Sequence, residues 1–299
     1  RLFAWANGPQ ALKPRLFSAR ECLWEAQETS DGRLVFTEQA PAAEPTAVIG
    51  VRACDLAALA LQDRHFLAEG AVDAGYETRR RQLVLVAVNC THPAATCFCA
   101  STGDGPAVRD GADLVLDEFD EGYLVYAGSA AGRRLLALLP LTAVSDAQRE
   151  AAQAATARAA CEQTRALPGR NLQALLLGNL DHPRWQEVAS RCLSCGNCTS
   201  VCPTCFCYRE GDSPALDGKQ SRHYREWDSC FSQGHSYIHD FTIRADTRLR
   251  YRQWLTHKLG SWHAQYGRSG CVGCGRCIAW CPTGIDLTAE VAAIAGAPM

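Results

Sequence analysis

From Thr46 onward the apolar residues fall into short runs separated by stretches with helical spacing. Ala47–Val51 and Leu83–Asn89 are nearly continuous apolar segments of strand length. Between them, Asp55–Leu67 carries its apolar residues at helical intervals. Leu114–Phe119 and Tyr123–Ala127 predict two further strands around the polar turn Asp120–Gly122. Residues 1–45, broken by Pro9, Pro14, Pro41 and Pro45, predict an irregular start. Ala130–Leu139 predicts a short helix. Ser145 is placed to cap a long Ala-rich helix reaching about Arg165, with Pro168–Gly169 as its stop. Asn171–Asn179, Pro183–Arg191, Arg248–Tyr266 and Thr288–Ile294 predict helices, and the polar stretch Glu210–Gly218 a loop. The expected fold is α+β in two domains that meet near residues 140–170. Residues 1–150 form an α/β domain with a small sheet, and 151–299 a mostly helical domain.

The 299 residues suffice for two domains, and with 47% hydrophobic and 21% charged residues the chain can build a core rather than stay disordered. A net charge of −2 argues against a general nucleic-acid binder. The longest apolar runs, Leu83–Val88 and Leu135–Leu139, fall far short of the ~18–20 residues of a membrane helix. No signal peptide is visible, and the expected compartment is the cytoplasm. The chain begins at Arg1 rather than Met, which leaves a preceding segment open.

Cysteine changes the picture. There are 17, an odd number in a long chain, and most are bunched in Cys192–Cys230 and Cys271–Cys281. Bunching argues for metal binding over a disulfide framework. Cys192-x-x-Cys195-x-x-Cys198-x-x-x-Cys202-Pro203 recurs as Cys271-x-x-Cys274-x-x-Cys277-x-x-x-Cys281-Pro282. Three thiolates two residues apart let one loop wrap three corners of a cubane, while the fourth, before proline, serves the other cluster. The expected ligand sets are therefore crossed: Cys192, Cys195, Cys198 and Cys281 for one [4Fe–4S] cluster, and Cys271, Cys274, Cys277 and Cys202 for the second. Gly196 and Gly275 let the loops approach closely and leave backbone N–H groups for the sulfurs. The 68 residues between the repeats predict a helical ferredoxin-type domain rather than a compact one. A zinc-binding interaction module is the alternative, but zinc takes four ligands in two Cys-x-x-Cys pairs, which this pattern fits poorly.

Cys54, Cys90, Cys97 and Cys99 follow the first two strands, at the edge where open α/β sheets hold ligands. They suit a third [4Fe–4S] cluster; buried or redox-active free thiols are the alternative. Cys205, Cys207 and Cys230 form a third group, in which Thr204–Cys207 repeats the tetrad Thr96–Cys99. A fourth cluster there would need a ligand such as His235; thiols packed beside the first cluster are the other reading. Cys22 and Cys161 stand alone and read as structural. No dinucleotide fingerprint or Walker motif occurs, and Gly103–Pro106 reads as a turn beside the metal site. Leu193 stands where a nickel-subunit motif would need arginine. Lys219–Arg268 carries nine Lys/Arg against four Asp/Glu. That excess reads as compensation for anionic clusters, in preference to a nucleic-acid patch or a docking face.

Taken together, the motifs resemble the beta, iron–sulfur subunit of cytosolic NAD(P)-linked [NiFe] hydrogenases (sulfhydrogenases), and the related iron–sulfur subunit of anaerobic sulfite reductase. The resemblance is carried by Gly50–Asp55, Asn89–Pro93, Thr96–Cys99, Cys192–Cys207, Trp227–Cys230 and Gly270–Asp286, and it runs from about residue 1 to 290. It implies a non-catalytic relay subunit of an oxidoreductase complex. The implied partners are a flavin/NAD(P)-binding subunit, together with the small and large subunits of a [NiFe] hydrogenase, or a sirohaem subunit in the sulfite reductase case. It also implies the N-terminal cluster, and neither nucleic-acid nor membrane partners. The stretch before Leu2–Trp24 is shorter than in the family, and Ser101-Thr-Gly-Asp-Gly-Pro106 departs from the family's Ser-Met-Gly-Thr-Gly-Pro.

Overall fold

The computed structural model describes residues 2–4, 8–169 and 171–296. Residues 5–7, within the span that resembles the family, lie outside the described residues. The strands are β1 (Arg20–Glu28), β2 (Leu34–Glu38), β3 (Thr46–Arg52), β4 (Leu83–Val88), β5 (Leu114–Phe119), β6 (Gly122–Ala127), β7 (Tyr208–Pro214) and β8 (Gln220–Trp227). Among the described residues they form two four-stranded sheets, ordered β3-β4-β5-β6 and β2-β1-β8-β7, and the short strands Tyr237–Ile238 and Phe241–Thr242 pair separately.

The first sheet is the expected α/β unit. β3, β4 and β5 run parallel and β6 returns antiparallel. Helix Ala53–Phe66 connects β3 toward β4 and buries Leu56, Leu59 and Phe66 against Leu85, Ala87, Tyr76, Leu16 and Phe17. A parallel strand buried by a crossover helix reads as a continuous apolar run, which is why β4 was legible; β3, at the sheet edge, carries such a run although Ile49 is exposed.

The second sheet overturns two expectations. The segment 1–45 is not irregular, since β1 and β2 form a hairpin in it. Glu210–Gly218 is not a loop but mostly β7. β2 and β7 are exposed along their whole length, so neither carries the period-2 alternation of a half-buried strand. Long-range pairing builds this sheet: β1 lies antiparallel to β8, with Arg20 opposite Glu226 and Gln27 opposite Gln220. The two hairpins thus come from opposite sides of the expected boundary. Trp24 stacks on His223 at 4.6 Å, and Phe17 on Trp227 at 6.0 Å.

A buried ionic network pins this sheet to the α/β unit. Arg225 of β8 donates to Glu21 of β1 at 2.8 Å and also to Asp73; Arg79 donates to Glu21 at 2.6 Å. Asp73 also caps helix Ala74–Arg81 by accepting from the Tyr76 N–H at 2.7 Å. Burial alone would raise both carboxyl pKa values, but the arginine hydrogen bonds outweigh it and hold both below the usual range. A carboxylate held low in the folded chain contributes stability above its unfolded pKa, ~4, and loses it as pH falls through the folded value. Acidification below about pH 5 is therefore expected to weaken the attachment of this sheet. Denaturant midpoints taken at neutral and acid pH check this: the wild-type loss should shrink in Glu21→Gln, and an equal loss in both proteins would contradict it.

The helices follow the sequence closely. Ser145 caps Asp146–Cys161 with a complete capping box. That helix stops at Cys161 rather than near Arg165, and Ala130–Leu136 ends before Leu139. The residues after Cys161 leave helical geometry to serve elsewhere: Gln163 accepts from the Ala100 N–H at 3.0 Å and Arg165 pairs with Asp286 at 2.6 Å. Arg248–Tyr266 is helical throughout, with a π turn at His257–Ser261 between Thr247–Thr256 and Trp262–Tyr266. Trp185, Val188, Tyr251, Trp254, Leu255 and Val291 make the core of this helical half, and cysteines pack on its surface. No helix among the described residues is long and apolar enough to cross a membrane.

Candidate metal centre

The two cysteine repeats fold alike. In each, a glycine in left-handed conformation turns the loop into a short helix: Gly196 (φ 75°) before Asn197–Ser200, and Gly275 (φ 72°) before Arg276–Ala279. One position inside each loop also takes positive φ, Ser194 at 50° and Gly273 at 64°. That turn aims the Ser194 N–H at Cys192 Sγ and the Gly273 N–H at Cys271 Sγ, both at 3.5 Å. The Ile285 N–H reaches Cys281 Sγ at 3.3 Å. Backbone amides of Ser194, Gly273 and Ile285, rather than of Gly196 and Gly275, thus face the sulfurs.

The repeats are interleaved. Cys192, Cys195 and Cys198 line one cavity together with Cys277 and Cys281 of the other repeat, under a wall of Phe231, Tyr251, Trp254 and Ile285. Reciprocally, Cys202 lies close enough to Cys271, Cys274 and Cys277 to act on their charge. Burial pushes the Cys271 thiol up to about 12 and Cys274 to about 11, and the Cys202 charge adds to it. Thiols so placed ionise readily only beside a cation such as cluster iron, which deprotonates its ligands outright. All 17 cysteines are free thiols. Among the described residues, no three His, Cys, Asp or Glu side chains converge on a single-ion site. The donor set fits a four-iron cluster, in which each cysteine binds its own iron.

Cys54, Cys90, Cys97 and Cys99 come to the same edge of the parallel sheet. Cys54 sits in the first turn after β3, and Cys90 two residues after β4. Burial raises all four thiols, Cys54 well above its ordinary value and Cys99 to about 12. Cys99 is within electrostatic reach of Cys97 and Cys90, while Cys54 reaches both Cys99 and Cys274. Gln163 Nε2 donates to Cys99 Sγ at 3.3 Å. The Gly103–Pro106 turn closes over this site, for a Cβ on Gly105 would come within 2.9 Å of Cys99 Sγ. Asp104 in that turn holds Arg268 through two bonds of 2.8 and 2.6 Å.

This edge is docked directly on the second repeat. The Phe98 N–H donates to the Gly273 carbonyl at 2.9 Å. A Cβ on Gly273 would fall 2.5 Å from the Cys99 backbone, and one on Gly275 would collide with the Thr96 carbonyl. Beside the contact, Arg276 grips Asp55 at 2.7 and 3.2 Å, both side chains buried.

The third group is also gathered. Cys205 and Cys202 share a hydrogen bond, which pushes Cys202 down and Cys205 up. Burial raises Cys230 to about 12, with Cys207 adding to it. His235 hydrogen-bonds Cys207 and is pushed up to about 9, chiefly by that bond. The two Cys-Phe-Cys tetrads are anchored in exchanged halves: Phe98 lies in the helical core, and Phe206 stacks on His65 of the α/β unit at 3.7 Å. Cys22, in a strand, and Cys161, at an exposed helix end, join none of these groups.

Sequence reasoning assigned compensating charge to the basic stretch 219–268 but singled out no residue within it. Of the basic stretch 219–268, Lys258 is buried against these thiols, bonded to Thr204 Oγ1 at 2.8 Å. Burial opposes its charge, but Cys202 and Cys205 outweigh that and hold it firmly protonated. Lys13 approaches the same thiols from outside that stretch. The π turn that carries Lys258 has no signature in a helical period. Asp55 and Arg276 had one available signal, each lying within a quoted motif next to or between cysteines.

Residues 191–285 match the family described as a 4Fe-4S dicluster domain. Sulfhydrogenase 2 subunit beta of Pyrococcus furiosus is 31% identical over 244 residues, covering 80% of this chain and 71% of that protein. No solved structure matches the chain.

Proposed function

Since this chain belongs to the sulfhydrogenase beta-subunit family, as an electron-transfer iron–sulfur subunit of a multisubunit oxidoreductase, we propose that it relays electrons between a flavin subunit oxidising NAD(P)H and a [NiFe] hydrogenase module. A bound [4Fe–4S] cluster supplies reversible one-electron storage. In this reading Cys192, Cys195, Cys198 and Cys281 hold one cluster, Cys271, Cys274, Cys277 and Cys202 a second, and Cys54, Cys90, Cys97 and Cys99 a third. The observation that carries the reading is the docking of the Thr96–Cys99 loop on Gly273 and Gly275, which makes the N-terminal thiols and the second repeat contiguous. A relay needs that contiguity; separate structural thiols do not. This chain supplies ligation, burial, and amide and Gln163 hydrogen bonds to sulfur, all of which set potential. It contributes no acid–base group to a reaction. The cytoplasm is the compartment proposed, because free thiols in this number need a reducing environment.

The hydrogenase terminus is preferred over a sirohaem one because the matching relative is a sulfhydrogenase subunit. Cys274→Ser tests the relay in the assembled complex. Hydride-to-viologen activity at the flavin partner should persist, while coupling between hydrogen and the nicotinamide falls away. Unchanged coupling would sink the reading. Wild-type protein purified anaerobically should carry at least about twelve irons per chain.

A further inference from the structure

Three cysteines outside the dicluster repeat, Cys205, Cys207 and Cys230, are gathered with a histidine beside a cavity open to solvent. From that arrangement we infer that Cys205, Cys207, Cys230 and His235 form a fourth iron–sulfur site, which takes a [4Fe–4S] cluster through three thiolates and one imidazole. The inference rests on the relay reading above.

The geometry of His235 is the first support. Its Nδ1 lies 2.8 Å from Asp228 Oδ2, and the Asp228 side chain is only 12% exposed. With Nδ1–H donated to that carboxylate, the Nε2 lone pair is left for a metal, and the ring orientation is fixed. Metal-bound histidines use this carboxylate–imidazole arrangement routinely. Cys207 stands within hydrogen-bond reach of the same ring and close to Cys230.

The cavity is the second. It is lined by Cys205, Cys207, Asp228 and His235 together with Lys13 and Cys195, and Cys230 lies behind this lining, close to Cys207. It therefore borders the first cluster's thiols, and Cys230 is the strongest charge partner of Cys198. A group held there adjoins the first repeat and faces solvent.

Charge is the third. The Lys13 ammonium is buried, donates to the Ser200 carbonyl at 2.9 Å and that of Thr199 at 3.3 Å, and lies 4.0 Å over the Trp227 ring. Lys258 also lies beside Cys205, where Cys202 already counters its charge, whereas at Lys13 burial outweighs the thiols around it. Thiolates of an anionic cluster at Cys205 and Cys207 would balance that ammonium.

The ligand count closes as well. In the N-terminal group the Thr-Cys-Phe-Cys tetrad is completed by Cys54 and Cys90; here the same tetrad is completed by Cys230 and His235. On taking up a preformed cluster the three thiols release three protons. The imidazole, held protonated in the free chain beside Cys207 and Asp228, binds through Nε2 after releasing the proton there, its Nδ1 proton staying with Asp228. The loaded site carries one negative charge fewer than an all-thiolate site, which makes it easier to reduce.

The test uses the full chain purified anaerobically, with iron and acid-labile sulfide counted and an electron-spin-resonance redox titration run alongside. Wild type should hold about sixteen irons, and Cys207→Ser or Cys230→Ser about twelve. His235→Cys should keep about sixteen while one signal becomes harder to reduce, by about tenfold in its reduced-to-oxidised ratio, or ~59 mV for one electron. Asp228→Asn should move that same signal and no other. About twelve irons in wild type, unchanged in Cys207→Ser and Cys230→Ser, would overturn the fourth site and leave the relay standing. Sixteen irons with an unaltered titration in both His235→Cys and His235→Ala would remove the imidazole from the assignment. Zinc in place of iron would overturn the relay reading itself.

Discussion

Arg276→Met is expected to destabilise the protein by about 3–5 kcal/mol, the cost of stranding one partner of a buried ion pair. The Arg276 side chain is 3% exposed and that of Asp55 9%, and they are joined by two hydrogen bonds of 2.7 and 3.2 Å. Burial alone would disfavour the guanidinium charge; Asp55 and Cys274 outweigh it and hold the group protonated. Removing the guanidinium leaves the buried Asp55 carboxylate beside Cys54 and Cys274 with its counter-charge gone. Arg276 Nε also donates to the Gly8 carbonyl at 2.9 Å, so the N-terminal segment loses an anchor at the same time. Anaerobic denaturant unfolding measures the loss. Asp55→Leu in the Arg276→Met background should recover much of it, because an apolar pair of similar volume avoids the desolvation of both charges. A loss below about 1 kcal/mol would mean that the pair is as weakly coupled as a surface bridge.

Gly275→Ala should be the second large effect, and it separates strain from collision. A left-handed backbone costs an L-residue about 1–2 kcal/mol by itself. At Gly275 the added Cβ also collides with the Thr96 carbonyl, and neither backbone can yield by changing rotamer. The N-terminal thiols should therefore part from the second repeat, with iron lost from the N-terminal site first and electron transfer between the two regions slowed. Gly284 is the control: its φ is 68°, nearly that of Gly275, yet a Cβ there meets nothing within 4 Å. Gly284→Ala should cost only the backbone term. Equal losses in stability and iron for the two variants would show that the close approach of the loops is not what joins the two regions.

Local chemistry carried most of what was legible. Three cysteines at intervals of three residues must lie on one tight loop whatever surrounds them, so both repeats declared their chemistry without tertiary information. β4 and Ala53–Phe66 were readable because burial on a parallel sheet imposes apolar patterning, and β3 because its edge strand is apolar even where Ile49 is exposed. Ser145 was readable because its capping box is closed by Gln148, three residues on. The crossed sharing of Cys202 and Cys281 is what the spacing predicts, and each lies among thiols of the opposite repeat.

What the tertiary structure alone decided shares one physical trait: the partner lies far along the chain. β2 and β7 are exposed on both faces, and their sheet exists because β1 finds β8, so no local period records it. Arg276 meets Asp55, Lys13 meets Cys205, and Gly275 meets Thr96 only after the two halves have packed. The sequence by itself determined that the repeats form a 4Fe-4S dicluster pattern and which segments make the parallel strands, because both depend on neighbours a few residues away. The assembly of the N-terminal thiols, the second repeat and the third cysteine group into one contiguous region was decided by folding, because charge pairing and close backbone approach act through space and leave no spacing rule along the chain.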